Sequence, residues 1–385
     1  MYKDVFNSAT IESMLKTPSI KWRRDPPDVI GMWIADPDFP QAPFIKKAVH
    51  DAVDAGNLYY WNDNAARKAM AERIVRHNGL KVTADDVYVM QGILPGMWLG
   101  LQYCKANPGD EVIVNDPMYH LFFMEIETGK LKPVYWKLHE EEGYRFDIEE
   151  LKEVVNRRTK LIFVCNPHNP TGRVMTKEGL KGIADVAVDH KIPVMSDELW
   201  DDVIFDGRKH VTLATLNPEI ADITMTSFGI SKAWGVPGLQ CGYLAATNKK
   251  MMEEIKNHAK GILHGTGTLS LAASQAALDK NNEYWLRDMM KHLHKVRDLA
   301  TRRLTNMGCT VPELQGTYLM FPKFNVKMKH DELYKLMLEK AKVGLGTGSQ
   351  FGPEGEMHLR MTIATSEAIM NEALDRIERV LKTIK

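Results

Sequence analysis

Between about residues 85 and 245, short apolar runs recur along the chain, separated by stretches with helical period. Seven of the runs read as strands: "DVYVMQG" (86–92), "DEVIVND" (110–116), "KPVYWKL" (132–138), "KLIFVCNP" (160–167), "IPVMSDE" (192–198), "DITMTSF" (222–228) and "QCGYLAAT" (240–247). Helical patterns such as "DIEELKEVV" (147–155) and "KEGLKGIADVAVDH" (177–190) lie between them. Runs this apolar suit strands buried on both faces, and their alternation with helices predicts a mostly parallel, seven-stranded α/β sheet. Polar residues follow several strands at their C-terminal ends: Asn169, Asp197 and Lys232. Open α/β sheets take up ligands there.

The flanks have a different texture. "KTPSIKWRRDPPDVIGMWIADPDFP" (16–40), rich in Pro, Asp and Trp, reads as an extended, loop-rich arm. After about residue 280 a long helical pattern (283–306), strand candidates and a final helix (366–385) predict a smaller α+β unit. The expected organisation is an arm (1–45) contributing to the small domain, a large domain (46–275) and a small C-terminal domain (276–385).

Charge and composition narrow the function classes. Lys plus Arg number 50 and Asp plus Glu 50, so no net basic field favours nucleic acid or an anionic membrane. The four cysteines are far apart and form no C-x-x-C pair, which argues against a zinc site or a disulfide framework. The N-terminus lacks an apolar signal core, and no run approaches the roughly 20 apolar residues of a spanning helix. A soluble, cytoplasmic protein without a metal is expected.

Three motifs carry chemistry. "CNPHNPTGRV" (165–174) places two Asn-Pro steps after a buried strand, more than a simple turn requires. "PVMSDELWDD" (193–202) puts Asp197 at a strand end, a position that a helix cap or a strand-end carboxylate could also explain. In "TSFGISKAWGVPGLQCGYL" (226–244), Lys232 sits among small and apolar residues rather than on an obviously solvated turn. A desolvated lysine has a lowered pKa and can form a Schiff base with a carbonyl.

In this order and spacing the three motifs resemble fold type I enzymes dependent on pyridoxal 5'-phosphate (PLP), the class I/II aminotransferase superfamily. The segments "SIKWRR…GMWIADPDFP", "CNPHNPTGRV" and "SDELWDDVIFDGRKH" are most similar to its cystathionine β-lyase (MalY/PatB) branch. The resemblance implies an aspartate aminotransferase-like fold and a role for each matching residue. Lys232 would hold PLP as a Schiff base and shuttle the Cα proton; Asp197 would face the pyridine nitrogen; Asn169 would donate to the ring's phenolic oxygen. Tyr119 would stack on the ring. The phosphate would lie at the helix start marked by Ile93 and Leu94, with Ser231 nearby. Tyr60 would reach the phosphate of a neighbouring subunit, implying a homodimer with shared active sites. Arg360 and the backbone at Ala35 would grip the substrate α-carboxylate.

Departures from the family pattern accompany the likeness. Gln240 stands where a cation usually pairs with the phosphate, and Gly229 where many members have a serine. Trp200 replaces a tyrosine or histidine; its indole can donate a hydrogen bond but cannot accept or shuttle a proton. The expected reaction is α,β-elimination from cystathionine or another cysteine S-conjugate. Amino transfer to a 2-oxo acid, oxidative chemistry with dioxygen and a non-catalytic regulatory role remain alternatives.

Overall fold

The computed structural model describes residues 4–60, 62–263 and 265–384. Its thirteen strands are β1 (Ile30–Gly31), β2 (Val87–Met90), β3 (Glu111–Asp116), β4 (Lys132–His139), β5 (Arg145–Phe146), β6 (Thr159–Cys165), β7 (Val194–Asp197), β8 (Thr224–Gly229), β9 (Gly242–Ala245), β10 (Leu319–Met320), β11 (Val343–Gly344), β12 (Gly346–Thr347) and β13 (Leu359–Thr362).

The large sheet has the order β2-β9-β8-β7-β6-β3-β4-β5. From β8 through β4 every pairing is parallel, while β9 runs antiparallel to both β2 and β8. All seven expected strands are present. The eighth, β5, is a two-residue return that pairs antiparallel with the end of β4. It is too short to leave a periodic signal in the sequence.

Side-chain alternation along the strands divides the interior into two cores. Val112, Val114, Leu161, Phe163 and Met195 face one way, onto the helices Leu94–Tyr103 and His120–Thr128. Ile113, Ile162, Val164 and Val194 face the other, onto the helices Ile148–Val154 and Lys177–Asp189. The two-sided burial explains why the strands read as unbroken apolar runs. Each such side chain taken fully out of water contributes roughly 1.5–3 kcal/mol, which fixes the register from which the site is built.

The arm is more structured than its composition suggests. Thr10 and Ser19 cap two short helices, Ile11–Leu15 and Ile20–Arg23. The Lys21 ammonium is buried against the Asp38 carboxylate at 2.8 Å, and the Trp22 indole donates to the same carboxylate at 2.7 Å. β1 then pairs in parallel with β11, more than three hundred residues away in sequence. Next to this pairing lies a three-stranded antiparallel sheet, β10-β13-β12. The long helix Tyr284–Asn306 packs with the helix Glu367–Leu381 in the same C-terminal region.

Candidate active site

Three adjacent strands, β6, β7 and β8, end at one cleft of about 370 Å³, a volume suited to a small molecule. Asp197 is the last residue of β7, in register with Cys165 and Ser227 on its neighbours. Asn169 follows β6 and Lys232 follows β8, so sheet order places the three polar groups side by side. Every candidate site residue named from the sequence lines this cleft except Tyr60, and Gly229 is likewise absent from its lining. The Tyr60 side chain is fully exposed, next to the exposed Leu58 and Tyr59.

Lys232 donates to the Ala35 carbonyl at 3.2 Å, and its ammonium lies 5.9 Å from the centre of the Trp200 ring. Burial, reinforced by the Arg360 charge, brings the Lys232 amine down to about 8. Asp197 accepts from the Leu199 amide at 3.1 Å, while the Cys165 thiol lies 3.8 Å from its other oxygen. Burial raises the Asp197 carboxyl to about 7, against the pull of those hydrogen bonds and of Lys232. A protonated nitrogen facing it would hold it ionised.

Arg360 lies in β13, where Gly346 of β12 is its partner. Its guanidinium donates to Asn169 at 3.0 Å and to the Trp33 carbonyl at 2.9 Å, and its centre sits 4.6 Å from the Phe351 ring. No carboxylate pairs with it among the described residues, and its buried Nε has no hydrogen-bond partner there. Burial lowers it to about 10. A desolvated cation with neutral partners only is a strong attractor for an anion.

The opposite end of the cleft is built from backbone. The helix Leu94–Tyr103 begins at Ile93 without any side-chain cap, leaving its first amides available to an anion. Gly92 enters this turn at φ +80°, and a Cβ on Gly242 would fall 2.2 Å from the Gly92 carbonyl oxygen, so both positions require glycine. Gln240 clips the turn: its carbonyl accepts from the Gly92 amide at 3.1 Å and from the Thr266 hydroxyl at 2.9 Å. Its side-chain amide donates to the Pro237 carbonyl at 3.1 Å.

Several residues in and around the cleft escaped the sequence reading. The Tyr318 hydroxyl donates to the Lys232 carbonyl at 3.3 Å, and its ring stands edge-on to Trp200. Arg24 lines the cleft with its guanidinium 3.9 Å above the Trp33 ring. His120, beside Tyr119, also lines it, and burial lowers the imidazole to about 4, so the ring is neutral. For Arg24 and His120 the usable signal was adjacency to a motif residue; Tyr318 left none, because its contact spans 86 residues. Among the described lining residues, Arg24, Lys232 and Arg360 are the cations and Asp197 is the one carboxylate.

Comparison with known proteins agrees with this architecture. An aspartate aminotransferase from Pyrococcus abyssi is 31% identical over 363 residues, covering 93% of each chain. The cystathionine β-lyase PatB of Bacillus subtilis is 28% identical over 382 residues, covering 96% of this chain and 98% of its own. A structure from Clostridium difficile, solved with PLP bound, superposes with a TM-score of 0.92 at 25% identity, covering 98% of this chain and 99% of the other. Residues 27–377 match the family described as aminotransferase class I and II. The chain belongs to that family.

Proposed function

We propose that the protein is a PLP-dependent enzyme acting on α-amino acids, and that it eliminates a thiolate from Cβ of cystathionine or a related cysteine S-conjugate, releasing pyruvate and ammonia. The observation that carries the amino-acid reading is Arg360: a buried guanidinium without a carboxylate partner among the described residues, in the same cleft as a lysine lowered to about 8.

The residues present fit PLP. The uncapped helix start at Ile93 and Leu94, with the Ser231 hydroxyl, suits a phosphate. Asp197 suits the ring nitrogen, Asn169 and the Trp200 indole the phenolic oxygen, and Tyr119 a ring face. When bound, PLP supplies an electron-accepting ring that stabilises negative charge at the substrate Cα. Lowered to about 8, Lys232 gives up its proton far more readily than an ordinary lysine, so its neutral form is accessible to take the Cα proton and return it. Arg360 holds the α-carboxylate in a planar fork, and the Asn169 contact fixes the orientation of that fork. Trp200 contributes position and dryness but no proton transfer.

Elimination is favoured by the arm. The segment that resembles the lyase branch forms the buried Lys21–Asp38 pair and presents the Trp33 and Ala35 carbonyls to Arg360 and Lys232. Amino transfer to a 2-oxo acid is the second reading, supported by the identity to the Pyrococcus abyssi enzyme. Incubation with cystathionine, and separately with amino acids plus 2-oxoglutarate, discriminates. Pyruvate from the first supports elimination; no pyruvate, with amino transfer in the second, would establish the other reaction.

A second copy of this chain is the proposed partner. Tyr60 is exposed and outside its own cleft, which supports a role for it at the phosphate end of a neighbouring subunit's cleft.

A further inference from the structure

Lys232 and Arg360 have roles in the reaction proposed above, but the third cation of the cleft, Arg24, has none. Its guanidinium carbon lies over the Trp33 indole, 3.9 Å from the ring centre. Asp25 pins it from one edge: Nε contacts both carboxylate oxygens at 3.1 Å, and Nη2 contacts one at 2.7 Å. β11 backs this same edge and leaves no spare room there. A Cβ on Gly344 would lie 2.7 Å from the Asp25 carboxylate and 3.3 Å from Arg24 Nη2. Nη1 makes no hydrogen bond among the described residues, and the side chain keeps 31% of its exposure. Asp25 uses one edge of the guanidinium, and the planar group has donors on another.

The position of this free edge is informative. Trp33 carries Arg24 on its ring and offers its carbonyl to Arg360. Gly344, against Arg24, is two residues before Gly346, the register partner of Arg360. The two guanidinium groups therefore stand along the same wall, one buried and one at the rim. A ligand with one carboxylate could be held by Arg360 alone, whereas a second carboxylate at its far end would have Arg24 as its cationic partner in the cleft. Aromatic stacking and the Asp25 clamp hold Arg24 in place beforehand, so little freedom is lost on binding.

We propose that Arg24 is the specificity residue of this cleft and selects substrates whose side chain ends in a second carboxylate. This rests on the α-amino-acid reading given above. Because the edge that recognises the anion is Nη1, the preference requires the charge and the fork of Arg24 and does not require Asp25 to leave.

Calorimetric titration of the PLP-loaded protein with succinate and with its monoamide succinamate, neither of which has an amino group to react, tests it. Wild type is expected to bind succinate at least about tenfold more tightly, since the pair differs by one charge-assisted contact. Arg24→Gln should bring the two within about twofold, with the PLP absorbance unchanged, and Arg24→Lys should give an intermediate ratio. If Arg24→Gln does not fold, the Arg24→Lys ratio decides alone. Equal binding of the two compounds by PLP-loaded wild type, or an unchanged ratio in the variants, would overturn the assignment and leave Arg24 as a partner of Asp25 only. Wild type that takes up no PLP, or binds neither compound, would instead overturn the function proposed above.

Discussion

At the scale of single residues, the cleft is held in an electrostatically costly state. Lys232 is lowered to about 8 from an ordinary value near 10.5, so below pH 8 the folded protein carries a buried ammonium. Between pH 8 and about 10.5 the unfolded chain binds more protons at this site, and stability rises with pH across that window. Asp197 behaves in the opposite sense. Raised to about 7 from 3.8, it binds more protons when folded, so stability falls as pH rises from about 4 to 7. Protein stripped of PLP should therefore be more heat-stable as Lys232→Met than as wild type at pH 7, and Asp197→Asn should flatten the slope between pH 4 and 7; melting curves measure both. Arg360→Gln should raise KM for amino-acid substrates roughly 10- to 100-fold, the range expected for a lost charge-assisted hydrogen-bonded pair.

At the scale of elements, strand ends deliver the central groups and the arm supplies the wall facing them. The strands were legible because burial on both faces leaves an uninterrupted apolar signature, and the residues following them carried recognisable motifs. Ala35 and Arg360 were legible only through resemblance, and the pairing of β1 with β11 left no periodic trace. Arg24, Tyr318 and the Lys21–Asp38 pair were missed because each acts through a contact distant in sequence or between residues of ordinary type. That pair is the anchor of the arm, with both side chains almost wholly buried. Asp38→Asn leaves the Lys21 charge buried and unpaired, and should lower stability by about 3–5 kcal/mol in urea unfolding. Glu12→Gln, which breaks the exposed Lys16–Glu12 pair, should change stability by less than about 0.5 kcal/mol.

At the scale of the whole molecule, the active unit is expected to be two copies. Tyr60 contributes nothing to its own cleft, yet the end of that cleft proposed to take the phosphate is lined by backbone, Ser231 and Gln240. Tyr60→Ala and Lys232→Ala should each lose most activity as pure proteins, the latter by roughly a thousandfold or more. Mixing and reassociating them should restore activity, because a hybrid pair contains one cleft with both Lys232 and its partner's tyrosine. No recovery in hybrids that demonstrably form would remove Tyr60 from the site. The central claim is that distant segments converge to hold PLP through Lys232, and the absorbance spectrum of the purified protein after PLP addition tests it most directly. A pH-sensitive band near the visible edge, present in wild type and absent in Lys232→Ala, is the predicted result. Wild type without such a band, or a Lys232→Ala variant that retains it, would contradict the account.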